Sequence, residues 1–261
     1  EWLSLVSQAT DAIARGEFEK VVLARATDLQ FDQRVTAISL MAASRRINHN
    51  CYHFCMMFDA QNAFMGSSPE RLWRRRGKRL RTEALAGTVA SHADDAQSHR
   101  LGEWLLNDDK NQRENMLVVE DICQRLQHHT QALEVLPAQI VRLRKVQHLR
   151  RCIWTELKTA DDEQCLRLLQ PTAAVAGLPR DPARAFIQRK EPFEREWYAG
   201  SAGYLSPEQS EFCVTLRCAR VSDNAVRLYA GAGIVSGSVP EEEWQEIENK
   251  AAGLRTLLLM D

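Results

Sequence analysis

The chain lacks most of the features that would assign it to a specialised class. Its apolar stretches, such as Met116 to Val119 and Leu257 to Met260, are far too short to span a bilayer. No basic segment followed by an apolar run marks the start as a secretion signal. Charge of one sign is missing too: 34 Lys and Arg offset 35 Asp and Glu, so no overall field draws the chain to nucleic acid or an anionic membrane. The seven cysteines (Cys51, Cys55, Cys123, Cys152, Cys165, Cys213, Cys218) form no CxxC pair, which argues against structural zinc and a disulfide framework. They read as reduced, mostly buried thiols. A cytoplasmic protein with a small-molecule site is the expectation. The chain opens at Glu1 directly in an amphipathic pattern, as a fragment of a longer protein would.

No repeat, linker or low-complexity segment divides the 261 residues, and 44% hydrophobic content suffices for a sizeable core. One domain over 1–261 is expected. Apolar residues at helical spacing mark Trp2 to Arg15, Val35 to Asn48, Ala96 to Leu106, Asn111 to His128, Asp161 to Leu169, Asp181 to Arg189 and Pro240 to Leu259. Runs rich in β-branched and aromatic residues mark strands near Lys20 to Leu29, Cys51 to Asp59, Ala63 to Ser67, Arg71 to Arg76, Leu80 to Glu83, Val141 to Thr159, Ser210 to Val221 and Ala225 to Val235. Arg76-Gly77-Lys78 and Ser222-Asp223-Asn224 look like hairpin turns, so much of the sheet should be antiparallel and the class α+β.

Several segments could carry chemistry, and each has a plainer reading. In the last helix Trp244, Ile247, Ala251, Leu254 and Leu258 form a core-facing stripe, and Glu243, Glu246 and Lys250 share the adjoining face. Read alone, that face is a surface ion pair worth about 0.2–0.5 kcal/mol. Glu114, after Asp108-Asp109-Lys110, lies on a second carboxylate-bearing helix. It is either a solvated residue or, with the first group, part of a site for a hard cation such as magnesium. Lys20 alternates with Val22 and Ala24, so it is either a desolvated general base or a lysine reaching solvent at a strand's start. Glu70, in Ser68-Pro69-Glu70-Arg71-Leu72, is either a protonated acid in a cleft or a turn glutamate paired with arginine. Gly231-Ala232-Gly233 permits close backbone approach and could hold an anion, although a lone GxG is a weak signal. His128, His129 and His148 have no metal-ligand spacing and read as surface residues. Pro171 to Pro179, rich in small residues, reads as a tight connection near the core.

Taken in order, these segments resemble the chorismate-utilising enzyme family, which includes the anthranilate, aminodeoxychorismate, isochorismate and salicylate synthases. The matching stretches are Lys20 to Arg25, Ser68 to Leu72, Thr82 to Thr88, Asp109 to Glu114, Pro171 to Gly177, Tyr198 to Gly200, Gly231 to Val235 and Glu243 to Lys250. The water-using isochorismate and salicylate synthases carry a lysine where Lys20 stands, and the anthranilate synthases do not. Aminodeoxychorismate synthases place a nucleophilic lysine where this chain has Ala86. The match is therefore to the water-using branch, and within it to the menaquinone-pathway isochorismate synthases.

The resemblance implies layered, largely antiparallel sheets with helices packed outside, and a magnesium-dependent isomerase converting chorismate to isochorismate. Lys20 would activate water and Glu70 would protonate the leaving hydroxyl. Glu114 and Glu246 would bind Mg2+, with Glu243 supporting them through water. Thr88, Tyr198, Arg217, Lys250 and the backbone of Ala232 and Gly233 would hold the substrate. No glutamine amidotransferase partner is expected. A salicylate synthase that goes on to eliminate pyruvate, and a non-catalytic chorismate-binding relative, are the competing readings.

Overall fold

The computed structural model describes residues 1–259. The chain runs through α1 (Trp2–Ala14), β1 (Lys20–Gln30), α2 (Ala37–Ile47), β2 (Tyr52–Met57), β3 (Asn62–Ser68), β4 (Arg71–Arg76) and β5 (Arg79–Ala90). It continues with α3 (Asp95–Asn107), α4 (Asp109–Leu126), β6 (Thr130–Val135), β7 (Gln139–Arg142), β8 (Val146–Leu157), α5 (Asp162–Leu169), β9 (Gly177–Leu178) and α6 (Arg180–Lys190). The remaining elements are β10 (Ser201–Leu205), β11 (Gln209–Val214), β12 (Cys218–Ser222), β13 (Ala225–Val235) and α7 (Pro240–Leu258).

All strand pairs are antiparallel, and the class is α+β as expected. One sheet has the order β2-β3-β12-β13-β1-β9. The other has β10-β11-β4-β5-β8-β6, with β7 also paired to β8. Both expected hairpins are present: Arg76 faces Arg79 across Gly77, whose φ of 57° suits glycine, and Ser222 faces Ala225 across Asp223-Asn224.

The seven expected helices form with shifts of only a residue or two at their ends. Their apolar stripes settle where each one packs. In α7, Ile247 and Leu254 are buried, Trp244 meets Trp2 of α1 with ring centroids 6.3 Å apart, and Ala251 joins the same cluster. Burying side chains such as Ile247 and Leu254 contributes about 1.5–3 kcal/mol each. The α1, α6 and α7 stripes cover one face of β1 and β13, while α4 and α5 cover the second sheet.

The run expected as one strand from Val141 to Thr159 is two, β7 and β8, hinged at Leu143–Lys145. The run Ser210 to Val221 is β11 and β12, and these belong to different sheets. Three short strands, β6, β9 and β10, are additional. Of the cysteines, Cys165, Cys213 and Cys218 are buried, whereas Cys55 is exposed and Cys51, Cys123 and Cys152 are intermediate, so burial is less general than expected. Among the described residues no helix is long and apolar enough to cross a membrane.

Candidate active site

Between the two sheets lies a small, partly enclosed cavity. Val22, Glu70, Thr88, Glu114, Tyr198, Arg217, Gly233 and Lys250 all line it, so residues from eight separate segments converge.

Strand β1 supplies Val22 to the cavity wall, and Lys20, two residues earlier, lies just behind it against Glu114 and Gly233. Lys20 is 1% exposed, with Nζ 3.3 Å from Glu114 Oε1. It does not reach solvent. Opposite, Val22 pairs with Gly233 and Leu23 with Ala232. The Val22 amide donates to Ala176 O, away from β13, so Val22 and Gly233 are a non-hydrogen-bonded pair and Leu23 and Ala232 exchange the ladder bonds. Gly233 therefore faces the cavity with free backbone groups. Ala232, expected beside it as a backbone donor, is committed to Leu23 and points its methyl into the core behind. A side chain at Gly233 would strike the Glu114 carboxylate and Lys20 Cε, and one at Gly231 would strike the Tyr198 hydroxyl. The GxG spacing thus makes room for facing side chains.

Helix α4 is aimed by its first turn. Asp108 caps it, and Asn115 donates to the carbonyls of Ala84, Ala86 and Leu149, tying the helix to β5 and β8. Strand β5 bulges between Leu85 and Thr88, where Gly87 takes φ 96°, and the bulge turns Thr88 toward the cavity. The Thr88 amide donates to Asn111 Oδ1.

Glu114 shares its surroundings with two carboxylates of α7. Glu243 is 2% exposed and bonded to Lys110 Nζ at 2.9 Å, and Glu246 is bonded to Lys250 Nζ at 2.9 Å. Lys250 also donates to Gly231 O at 2.8 Å. Burial first, and then the charges of Glu246 and Glu114, push the Glu243 carboxyl well above the usual carboxylate range. The α7 face is no surface ion pair. Lys110 was not singled out in the sequence, although it follows the Asp108-Asp109 pair at the helix start.

As they stand, no three His, Cys, Asp or Glu groups among the described residues converge as a ligand set, because each of these three glutamates is turned to its own lysine. The donor chemistry nevertheless fits a hard divalent cation. Three mutually repelling carboxylates at a buried position are relieved by one added cation.

Glu70 presents a different environment. It is 3% exposed, its Oε2 has no hydrogen-bond partner, and burial together with the Glu83 charge raises it to about 8. Its surroundings thus favour the carboxylic-acid form, and its arginine neighbour Arg71 is paired elsewhere, with Tyr52 and Glu211.

The opposite wall is basic and aromatic. Arg217 sits at φ 48°, a strained position for a side chain that the β11–β12 connection over-determines. It donates to His148 Nε2 at 3.0 Å, and His148 Nδ1 then donates to Thr88 Oγ1 at 3.0 Å. His148, expected on the surface, is 3% exposed and lines the cavity. Its burial and the charges of Arg217 and Lys250 hold it well below the usual histidine range, hence neutral. His148 lies on β8 directly opposite Thr88 of β5, and that pairing brings it to the cavity. Tyr198 stacks on Tyr229 with centroids 5.4 Å apart. Arg195, also missed in the sequence, holds Val22 O and Val175 O at 2.8 Å and places its guanidinium over the Tyr198 ring. The Pro171–Pro179 connection contributes Ala174 and Val175 to the wall, near the core as expected.

Residues 1–259 match the family described as chorismate binding enzyme. The isochorismate synthase MenF of Escherichia coli (strain K12) is 74% identical over 260 residues, which cover 100% of this chain and 60% of that protein. The solved structure of the menaquinone-specific isochorismate synthase MenF from Escherichia coli superposes with a TM-score of 0.93 at 74% identity, over 98% of this chain and 60% of that one. DhbC from Bacillus anthracis superposes at 0.95 with 31% identity, over 100% of this chain and 72% of that one. The chain therefore spans about three-fifths of the length of its E. coli relative. By family match, fold and the residues gathered around its cavity, the chain belongs to the chorismate-binding enzymes.

Proposed function

We propose that this chain is the catalytic domain of a cytoplasmic isochorismate synthase serving menaquinone formation, an isomerase that acts on chorismate without a glutamine amidotransferase partner. The observation that carries the reading is a buried Lys20 set against the cavity-lining Glu114 and Gly233, together with a cavity-lining Glu70 whose buried Oε2 has no partner. Its relatives named as isochorismate synthases support the same reading.

Water adds at carbon 2 of the substrate, the carbon 4 hydroxyl leaves, and the ring double bonds shift between them. Lys20 accepts the proton of the attacking water. Glu70 gives its proton to the departing hydroxyl, which leaves as water. Atoms balance, and proton exchange with solvent resets both groups. Each of these acid and base roles contributes about 10²- to 10⁴-fold. Arg217 and Lys250, with the Tyr198 hydroxyl, Thr88 and the free Gly233 amide, orient the substrate carboxylates; Ala232 acts only by keeping the strand in register. Arg217 in turn is held by neutral His148. Glu114 and Glu246 would hold Mg2+, supported by Glu243 through water, and the ion would supply positive charge to the ring carboxylate.

Incubating the protein with chorismate and Mg2+ and resolving the products tests this directly. Accumulated isochorismate is expected. Stoichiometric salicylate and pyruvate would replace the reading with a salicylate synthase, and no conversion with intact chorismate binding would replace it with a binding module.

A further inference from the structure

Behind Glu70 lies a second buried carboxyl that the chemistry above does not use. Glu83, on β5, is 5% exposed, and its Oε2, like that of Glu70, has no hydrogen-bond partner. It does not line the cavity. Its position follows from the β4–β5 hairpin: Thr82 Oγ1 donates to Leu72 O at 2.7 Å, which sets Glu83 beside the start of β4, where Glu70 ends the preceding turn. Two orphaned carboxyl oxygens, one at the turn before β4 and one on the adjoining β5, carry a cost that folding alone gives no reason to keep.

We infer that Glu83 is a positioning residue for Glu70, a second carboxylate set behind the acid and out of the substrate's reach, whose charge keeps the proton on Glu70 in the resting cavity. The inference rests on Glu70 being the acid of the proposed reaction. The charged surroundings of the pair are unequal. Glu83 is faced by Arg150 and Arg71, and Glu70 by Lys20, Arg217, Lys250 and Glu83 itself. Burial raises Glu83 to about 7, moderated by the two arginines, whereas Glu70 lies at about 8. The two arginines favour the charged form of Glu83, and that charge opposes ionisation of Glu70. Two buried carboxyls that interact in this way titrate as a pair.

Glu83→Gln removes the charge and keeps the shape. The alkaline limb of kcat against pH should move down by about one unit, so that kcat above the limb falls about tenfold with KM little changed. Glu83→Asp, which restores the charge at a greater distance, should bring the limb part of the way back. If Glu83→Gln fails to fold, the Asp variant decides through the same limb. In parallel, the Glu70 carboxyl is titrated by carbon-13 NMR, with Glu70→Gln assigning the signal. A lowered Glu70 midpoint in Glu83→Gln supports the inference even if no chorismate is converted, which would sink only the proposed reaction. An unmoved Glu70 midpoint and an unmoved limb in a folded variant overturn the inference while leaving the reaction intact.

Discussion

Two groups of glutamates lie at or near the cavity, and they differ in their partners. Glu114, Glu243 and Glu246 each have a lysine within 2.9 to 3.3 Å. Glu70 and Glu83 are as deeply buried, yet each keeps an oxygen without a partner. The first group is a set of carboxylates, each set against a lysine, that a metal ion can claim. The second is arranged so that at least one carboxyl remains neutral. The same residue type thus becomes ligand or acid according to whether a cation is built beside it.

The contrast can be broken most forcefully at the chemistry. Lys20→Ala and Glu70→Gln should each lower kcat about 10²- to 10⁴-fold with the fold intact by circular dichroism. Unchanged turnover would remove the assigned roles. At the cation group, Glu114→Gln and Glu246→Gln should abolish measurable Mg2+ binding in calorimetry, and Glu243→Gln should weaken it by about 10- to 100-fold. Glu70→Gln should leave it unaltered. A Glu70→Gln variant that lost Mg2+ would erase the division between the groups.

Stability against pH sharpens the comparison with a smaller effect. Glu70 and Glu83 have folded-state values of about 8 and about 7, both above the ordinary carboxylate value. The folded protein therefore holds protons that the unfolded chain releases. The stability these groups contribute is fully present below about pH 4.3, the unfolded value, and is lost as pH rises to about 8. Tm should fall across that window, and the slope should flatten in a Glu70→Gln, Glu83→Gln double variant. The smallest effect is expected at an exposed pair such as Arg167 and Glu163, where Glu163→Ala should change neither Tm nor kcat measurably.

Much of this was legible in the sequence. Helix α7 announces its buried stripe through Trp244, Ile247, Ala251 and Leu254, and β1 its cavity face through the alternation of Lys20 with Val22. The hairpins at Gly77 and Asp223 carried turn residues. The missed break between β11 and β12 had no such sign, because Thr215-Leu216-Arg217 contains no glycine or proline and Arg217 itself adopts the left-handed conformation. The break between β7 and β8 at Leu143–Lys145 was hidden for the same reason.

Spatial partners were less visible. No spacing rule connects Lys110 with Glu243, 133 residues away, or Arg217 with His148, 69 residues away. A histidine between Gln147 and Leu149 looks like any other until its pairing opposite Thr88 is known to bring it to a cavity. Whether a glutamate is an anion or an acid depends on the cations folded against it, and those come from distant segments.

The most direct test of the account is the protonation state of Glu70 at pH 7, read by difference infrared spectroscopy of the protein against Glu70→Gln, with and without Mg2+. The account predicts a protonated-carboxyl band that disappears in the variant and persists when Mg2+ is added. Absence of the band in the starting protein, or its loss on adding Mg2+, would contradict it.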